Sequence, residues 1–176
     1  NRERPVLLNN WEANFFKFDR DGLIKLARSA KKLGVELFVL DDGWFGDRNT
    51  DTAGLGDYNV NTQKLPGGLS ELAKQINKMG LSFGLWFEPE SVNEDSELYR
   101  THPDWAILPP SGEAVLGRNQ LLLDLTRSEV RDYIVENVGA TLDSASISYV
   151  KWDMNRHMAD AYSPLLSEQG EFYHRY

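Results

Sequence analysis

The sequence predicts an α/β fold built on a parallel sheet. Four short apolar runs, at residues 6–8, 37–40, 81–87 and 147–150, each lead into polar or charged residues. Such runs are typical of strands that are covered on both faces, as in parallel sheets. Helical patterns lie between the runs, and this alternation predicts parallel strands near residues 5–10, 36–41, 81–87 and 147–153, joined by right-handed crossovers.

Three helices are predicted between these strands. Apolar residues recur at spacings of three and four in residues 23–33 and again in residues 69–79, and a glycine follows each segment as a natural stop. Before the fourth strand, Thr126 and Glu129 fit a capping box, and residues 130–138 continue with one apolar face.

Two architectures fit this order, a doubly wound sheet and a closed barrel. A doubly wound sheet would usually have a glycine-rich turn after its first strand, where residues 9–12 contain no glycine. Every predicted strand instead ends in polar residues, where a barrel builds its active site. The sequence therefore favours a partial (β/α)₈ TIM barrel with its first four β/α units. Because the whole barrel needs about 250 residues, we expect residues 1–176 to be its N-terminal half, with the remaining units and flanking domains outside this chain.

Charge and composition exclude several classes of function. The net charge of −8 argues against nucleic acid and against an anionic membrane surface as partners. No apolar run approaches the roughly 18 residues that a membrane span needs. Cysteine is absent, which excludes disulfides and is compatible with a cytoplasmic protein.

Asp153 is the leading candidate for a catalytic residue. In an extended strand Lys151, Asp153 and Asn155 would share one face. A carboxylate between an ammonium and an amide stays ionised and oriented, as a carboxylate nucleophile requires. The alternative is a buried Lys–Asp pair that only fixes the strand end.

Asp41 and Asp42 end the second predicted strand and form a candidate ligand site. Paired carboxylates accept hydrogen bonds from sugar hydroxyls and also bind divalent metals, whereas Asp-Asp-Gly alone also favours a simple turn. The three histidines are scattered and form no recognised ligand spacing, so we expect no metal.

Five segments together resemble glycoside hydrolase family 36, the bacterial α-galactosidase type. They are residues 40–45 (LDDGWF), 56–61 (GDYNVN), 85–90 (LWFEPE), 102–105 (HPDW) and 149–156 (YVKWDMNR). They run in family order from about Pro5 to the end of the chain. Each segment alone would be weak, but the set is highly specific.

The resemblance implies a barrel that cleaves terminal α-linked galactose from melibiose- or raffinose-type α-galactosides with net retention, without metal or cofactor. It places the nucleophile on Asp153 and the carboxylates that hold galactose hydroxyls on Asp41 and Asp42. Further sugar-contacting positions fall on Trp86, Arg118, Lys151 and Asn155, and Trp11 matches a pocket aromatic. Bacterial members are commonly homotetramers.

The resemblance also implies that the chain lacks one catalytic group. A retaining glycosidase needs a second carboxyl roughly 5 Å from the nucleophile. In the family this residue lies beyond the Lys-Trp-Asp strand, and neither Glu88 nor Glu90 matches it, so we expect the isolated chain to be inactive.

Three alternatives stay open at this point. The same chemistry could transfer galactose to a sugar acceptor instead of water, or the barrel could bind carbohydrate without catalysis. For Arg118, an exposed surface arginine is as consistent with the sequence as a ligand contact.

Overall fold

The computed structural model describes residues 4–159 and 161–176. Their main elements, in chain order, are β1 (Leu7–Asn9), α1 (Trp11–Asn14), α2 (Arg20–Lys32), β2 (Leu37–Leu40), α3 (Gly68–Lys78), β3 (Ser82–Phe87), β4 (Ser91–Val92), α4 (Glu97–Thr101), β5 (Leu121–Leu122), α5 (Ser128–Asp143), β6 (Tyr149–Trp152) and α6 (Phe172–Arg175). The chain divides into two compact units, of which the first comprises residues 1–49, 59–87 and 140–153.

The first unit contains the predicted parallel sheet. Its strands lie in the order β1-β2-β3-β6, and all three pairings are parallel. In register, Val39 of β2 faces Gly84 of β3, and Trp86 of β3 faces Lys151 of β6. All four residues of β2 are buried, as expected for a strand covered on both faces. The four predicted strands and the partial α/β barrel are confirmed.

The first two predicted helices end at the predicted glycine stops, although Leu33, the last residue of the predicted apolar spacing, follows α2 and is exposed. The Asp19 side chain caps α2 by accepting a hydrogen bond from the Gly22 N–H at 2.7 Å. Gly34, with φ of 87°, follows α2 in the left-handed conformation that glycine adopts without strain. The buried faces of α2 and α3 have the predicted spacing of three and four, and the two helices contact each other.

The capping box proposed for the third helix is wrong. Helix α5 begins at Ser128. A capping box would need the Thr126 hydroxyl to accept the Glu129 N–H, but this hydroxyl donates to the Asp124 carboxylate at 2.6 Å. The Asp124 carboxylate also accepts the Thr126 N–H, so the short Asp-x-Thr turn satisfies these groups locally.

The second unit comprises residues 50–58, 88–139 and 154–176. It contains a short antiparallel pair that the sequence did not predict, in which Ser91 of β4 faces Leu122 of β5. Each strand has only two residues, which is too short for a periodic sequence signal. Among the helices of residues 4–159 and 161–176, none combines the length and apolar character needed to cross a membrane.

Candidate active site

The carboxyl ends of β2 and β6 bring three of the predicted site residues together. The Lys151 ammonium donates to Asp41 Oδ2 at 2.8 Å and lies 3.9 Å from Asp153 Oδ2. Lys151 lies in β6 and Asp153 directly follows the strand, with its N–H still bonded to β3, so the two side chains project to the same side. One cation thus lies between two carboxylates that are 112 positions apart in the sequence.

Asp153 is fixed by groups from β3. The indole Nε1 of Trp86 donates to Asp153 Oδ2 at 3.0 Å, and the Asp153 N–H donates to the Phe87 carbonyl at 2.8 Å. The Trp86 ring is buried, and its carbonyl accepts the Trp44 indole N–H at 2.9 Å. With 29% of its side chain exposed, Asp153 is the most accessible carboxylate of this group. Trp86, predicted to contact sugar, also orients Asp153.

Two asparagines at the end of β1 complete the surroundings of Asp41. The Asn9 side-chain amide donates to Asp41 Oδ2, and Asn10 Oδ1 accepts the Asp41 N–H at 2.7 Å. Neither residue was among the predicted site residues. Their place at a strand end was the available signal, because the carboxyl ends of adjacent parallel strands lie at one edge of the sheet.

Asp42 points into a different environment from Asp41. The Arg48 guanidinium holds its carboxylate through two nitrogens, with Nε 3.0 Å from Oδ1 and Nη2 2.8 Å from Oδ2. Burial raises the pKa of Asp42, although Arg48 acts in the opposite direction. Asp42 is therefore part of a buried ion pair that was not predicted from the sequence.

Trp11 begins α1 directly after these asparagines. Its N–H donates to Asn9 Oδ1 at 2.8 Å. Its ring meets Phe15 and Phe16 edge-on, at centroid distances of 5.2 and 5.0 Å. This places the predicted pocket aromatic next to the end of β1 with its ring orientation fixed by two neighbours.

Arg118 and Asn155 belong to the second unit. Arg118 and Asn119 both have positive φ, 53° and 60°, at the tip of a two-residue turn closed between Gly117 and Gln120. The Arg118 side chain is half-exposed and lies 3.3 Å from Asp51. A left-handed backbone at a non-glycine residue costs free energy that the surroundings must supply.

The alternation predicted for β6 does not extend to Asn155, because the strand ends at Trp152. Within the second unit the buried Glu88 carboxylate holds Asn155 twice, accepting its backbone N–H at 2.6 Å and its side-chain amide at 3.0 Å. Glu88 therefore already has a defined partner.

The arrangement in the first unit suits nucleophilic chemistry. A partly exposed carboxylate, oriented by an indole N–H and lying near an ammonium, has the properties of an activated carboxylate nucleophile. Within the described part of the chain, no three histidine, aspartate or glutamate side chains are grouped closely enough to hold a metal ion.

Known proteins resemble the whole of this chain. α-Galactosidase AgaA of Geobacillus stearothermophilus is 55% identical over 99% of the chain and 24% of its own length. An α-galactosidase of Lactobacillus acidophilus is 51% identical over 98% of the chain and 24% of its own length. The chain thus spans about a quarter of the length of the curated relatives it matches.

Solved structures agree with these relatives. The crystal structure of AgaA superposes with a TM-score of 0.95 at 55% identity, covering 99% of this chain and 25% of that one. A variant of AgaA in complex with raffinose matches with the same TM-score at 54% identity, over 99% of this chain and 25% of that one. The sequence profile described as melibiase matches residues 1–176. The chain therefore belongs to the melibiase family, the α-galactosidases of glycoside hydrolase family 36.

Proposed function

We propose that the complete protein hydrolyses terminal α-linked galactose from α-galactosides by a retaining double displacement, with Asp153 as the nucleophile. The observation that carries this proposal is the position of the Asp153 carboxylate. It is partly exposed at the carboxyl end of β6, accepts the Trp86 indole N–H at 3.0 Å and lies 3.9 Å from the Lys151 ammonium.

Each step of the proposed reaction assigns a role to this carboxylate. An Asp153 oxygen attacks the anomeric carbon as the bond to the leaving oxygen breaks, and the leaving oxygen takes a proton from an acid carboxyl. Water then attacks the same carbon and gives a proton to the acid group, which is now a carboxylate. The bond between the sugar and Asp153 breaks, and Asp153 is released as a carboxylate. The resemblance assigns this acid and base to a residue beyond the Lys-Trp-Asp strand.

Asp41 is the first candidate for binding the sugar. Its carboxylate is held by Lys151 and by the Asn9 amide, so its orientation is fixed before any ligand arrives. A fixed acceptor loses little conformational freedom when it accepts a hydrogen bond from a sugar hydroxyl. Further sugar contacts are proposed for the remaining predicted positions, which are Asp42, Trp86, Arg118, Lys151, Asn155 and Trp11.

The substrate class follows from the relatives. Variants of AgaA form complexes with raffinose and with stachyose, and both of these relatives match this chain at 54% identity. We propose the same oligosaccharides as substrates of the complete protein. We also propose a homotetramer, which light scattering of the purified protein would test by its mass.

The test is the stereochemistry of the first product. Purified complete protein is mixed with p-nitrophenyl α-galactoside, and proton NMR follows the anomeric signal before mutarotation. We expect α-galactose to appear first, and we expect no turnover of the matched β-galactoside. Release of β-galactose first would contradict a covalent intermediate on Asp153. If the protein turned over neither raffinose nor the aryl substrate, the function itself would be contradicted.

A further inference from the structure

Arg48 is a buried cation that the proposed reaction does not use. Only 1% of its side chain is exposed, and its guanidinium reaches the Asp42 carboxylate through Nε and Nη2. A fork of this kind fixes both the position and the plane of a carboxylate, which a single ammonium cannot do. The arrangement therefore orients Asp42 more strictly than charge neutralisation alone would require.

The loop that carries Arg48 is itself firmly held. The Lys64 ammonium donates to the carbonyl of Gly43 at 2.8 Å and to that of Arg48 at 3.3 Å. Gly43 has φ of 96°, and a Cβ added there would lie 2.8 Å from the Phe16 ring. The Arg48 guanidinium lies over that same ring, 5.8 Å from its centroid. Both ends of the loop are therefore fixed around Asp42.

Asp42 can still accept a ligand while it is held in this way. Arg48 Nε is shared between the two oxygens, Nη2 donates to Oδ2, and the Gly43 backbone N–H also hydrogen-bonds to the carboxylate. These three donors still leave room on a carboxylate, which offers about four acceptor sites. We propose that Arg48 is a positioning residue for galactose binding, which keeps the Asp42 carboxylate charged and turned so that it can accept a sugar hydroxyl. This inference rests on the proposed function, because it needs a galactoside as the ligand.

The charges around Asp42 determine how this arrangement responds to pH. Burial is the largest influence and raises the pKa of Asp42, and the neighbouring Asp41 carboxylate acts in the same direction. Arg48 lowers the pKa through its hydrogen bonds and its charge, the Gly43 N–H lowers it as well, and Lys64 is a further cation that interacts with Asp42. Removal of Arg48 would thus raise the pKa of Asp42 further and leave the acceptor protonated at a higher pH.

The experiment measures kcat and KM for p-nitrophenyl α-galactoside across pH, using the complete protein. Arg48→Met and Arg48→Lys are each made in the wild-type and in the Asp42→Asn background. Arg100→Met is the matched control, because Arg100 is exposed and pairs with Glu97 within its own helix. Thermal melting of each variant reports whether it folds.

We expect Arg48→Met to lower kcat/KM about 10- to 100-fold, mainly by raising KM. The acidic limb of the pH profile of kcat/KM should move to higher pH. Arg48→Lys keeps the charge without the fork, so the limb should return towards the wild-type position while KM stays raised. In the Asp42→Asn background either substitution should change kcat/KM less than about threefold, because the residue it acts through is already altered. Arg100→Met should match the wild type.

Equal losses in both backgrounds with an unmoved acidic limb would overturn the inference, since a merely structural arginine behaves in that way. If Arg48→Met does not fold, the Arg48→Lys pair makes the same comparison. Unchanged kinetics of the Arg48 variants, or of Asp42→Asn, alongside an active wild type would overturn the inference and leave the proposed function standing. An inactive wild type would overturn both.

Discussion

Replacing Asp42 by alanine should destabilise the protein much more than replacing Asp41, although the two carboxylates are adjacent and both buried. The difference lies in the cation that each carboxylate neutralises. The Arg48 side chain is 1% exposed, whereas the Lys151 side chain is 36% exposed. Water already reaches the Lys151 ammonium and can solvate it after the loss of Asp41, whereas Arg48 is almost fully enclosed and would be left poorly solvated after the loss of Asp42.

The magnitudes follow from this contrast. Removal of one partner of a buried ion pair costs about 3–5 kcal/mol of stability. An exposed ion pair is worth about 0–1 kcal/mol, because water and salt screen it, and Lys151 is accessible in this way. The loss of Asp41 also removes the acceptor of the Asn9 amide. We therefore expect the free energy of unfolding to fall by about 3–5 kcal/mol in Asp42→Ala and by about 1–2 kcal/mol in Asp41→Ala.

Urea denaturation of the complete protein and of both variants, followed by tryptophan fluorescence, measures this difference. The fluorescence is informative because Trp44 and Trp86 are both buried in the first unit. Asp42→Asn serves as a control for side-chain volume. Equal losses for Asp41→Ala and Asp42→Ala, or a larger loss for Asp41→Ala, would refute the assignment of Arg48 as the less accessible cation.

Two further predictions concern the same pair of carboxylates. Asp41→Ala should lower kcat/KM for p-nitrophenyl α-galactoside about 10- to 150-fold, because one charged hydrogen bond of about 1.5–3 kcal/mol is lost. An unchanged kcat/KM would show that Asp41 makes no useful sugar contact. Because burial raises the pKa of Asp42, the wild type should lose stability relative to Asp42→Asn as pH rises through that pKa. Urea titrations between about pH 4 and pH 7 would check this, and a relative gain by the wild type over that range would contradict it.

The sequence was most informative where the structure is periodic. The apolar runs located β1, β2, β3 and β6. Burial explains the run only for β2 and β3, because β1 and β6 have no residue that is fully buried. The polar residues that follow these runs included Asp41, Lys151 and Asp153, and parallel strands necessarily bring such ends to one edge of the sheet. The sequence thus indicates that Lys151 and Asp41 lie close together, but it does not predict that they form an ion pair.

The remaining contacts depend on loop geometry, which has no periodic signal. Arg48 follows Asp42 by six residues in an irregular segment, where an arginine is ordinarily expected to be exposed. Its burial depends on the turn at Gly43, on Lys64 and on the Phe16 ring, which come from separate parts of the sequence. The antiparallel pairing of β4 with β5 was missed for the same reason, since two-residue strands carry no recognisable pattern.

The configuration of an azide product shows directly whether Asp153 is the nucleophile. Asp153→Ala in the complete protein should lose nearly all activity on p-nitrophenyl α-galactoside, whose good leaving group largely bypasses the acid. Azide should restore part of the turnover by attacking from the vacated side, and we therefore expect β-galactosyl azide as the product. Asp41→Ala, which removes a carboxylate beside the same lysine, should show no such gain. An α-configured azide product from Asp153→Ala would mean that the nucleophile is another residue.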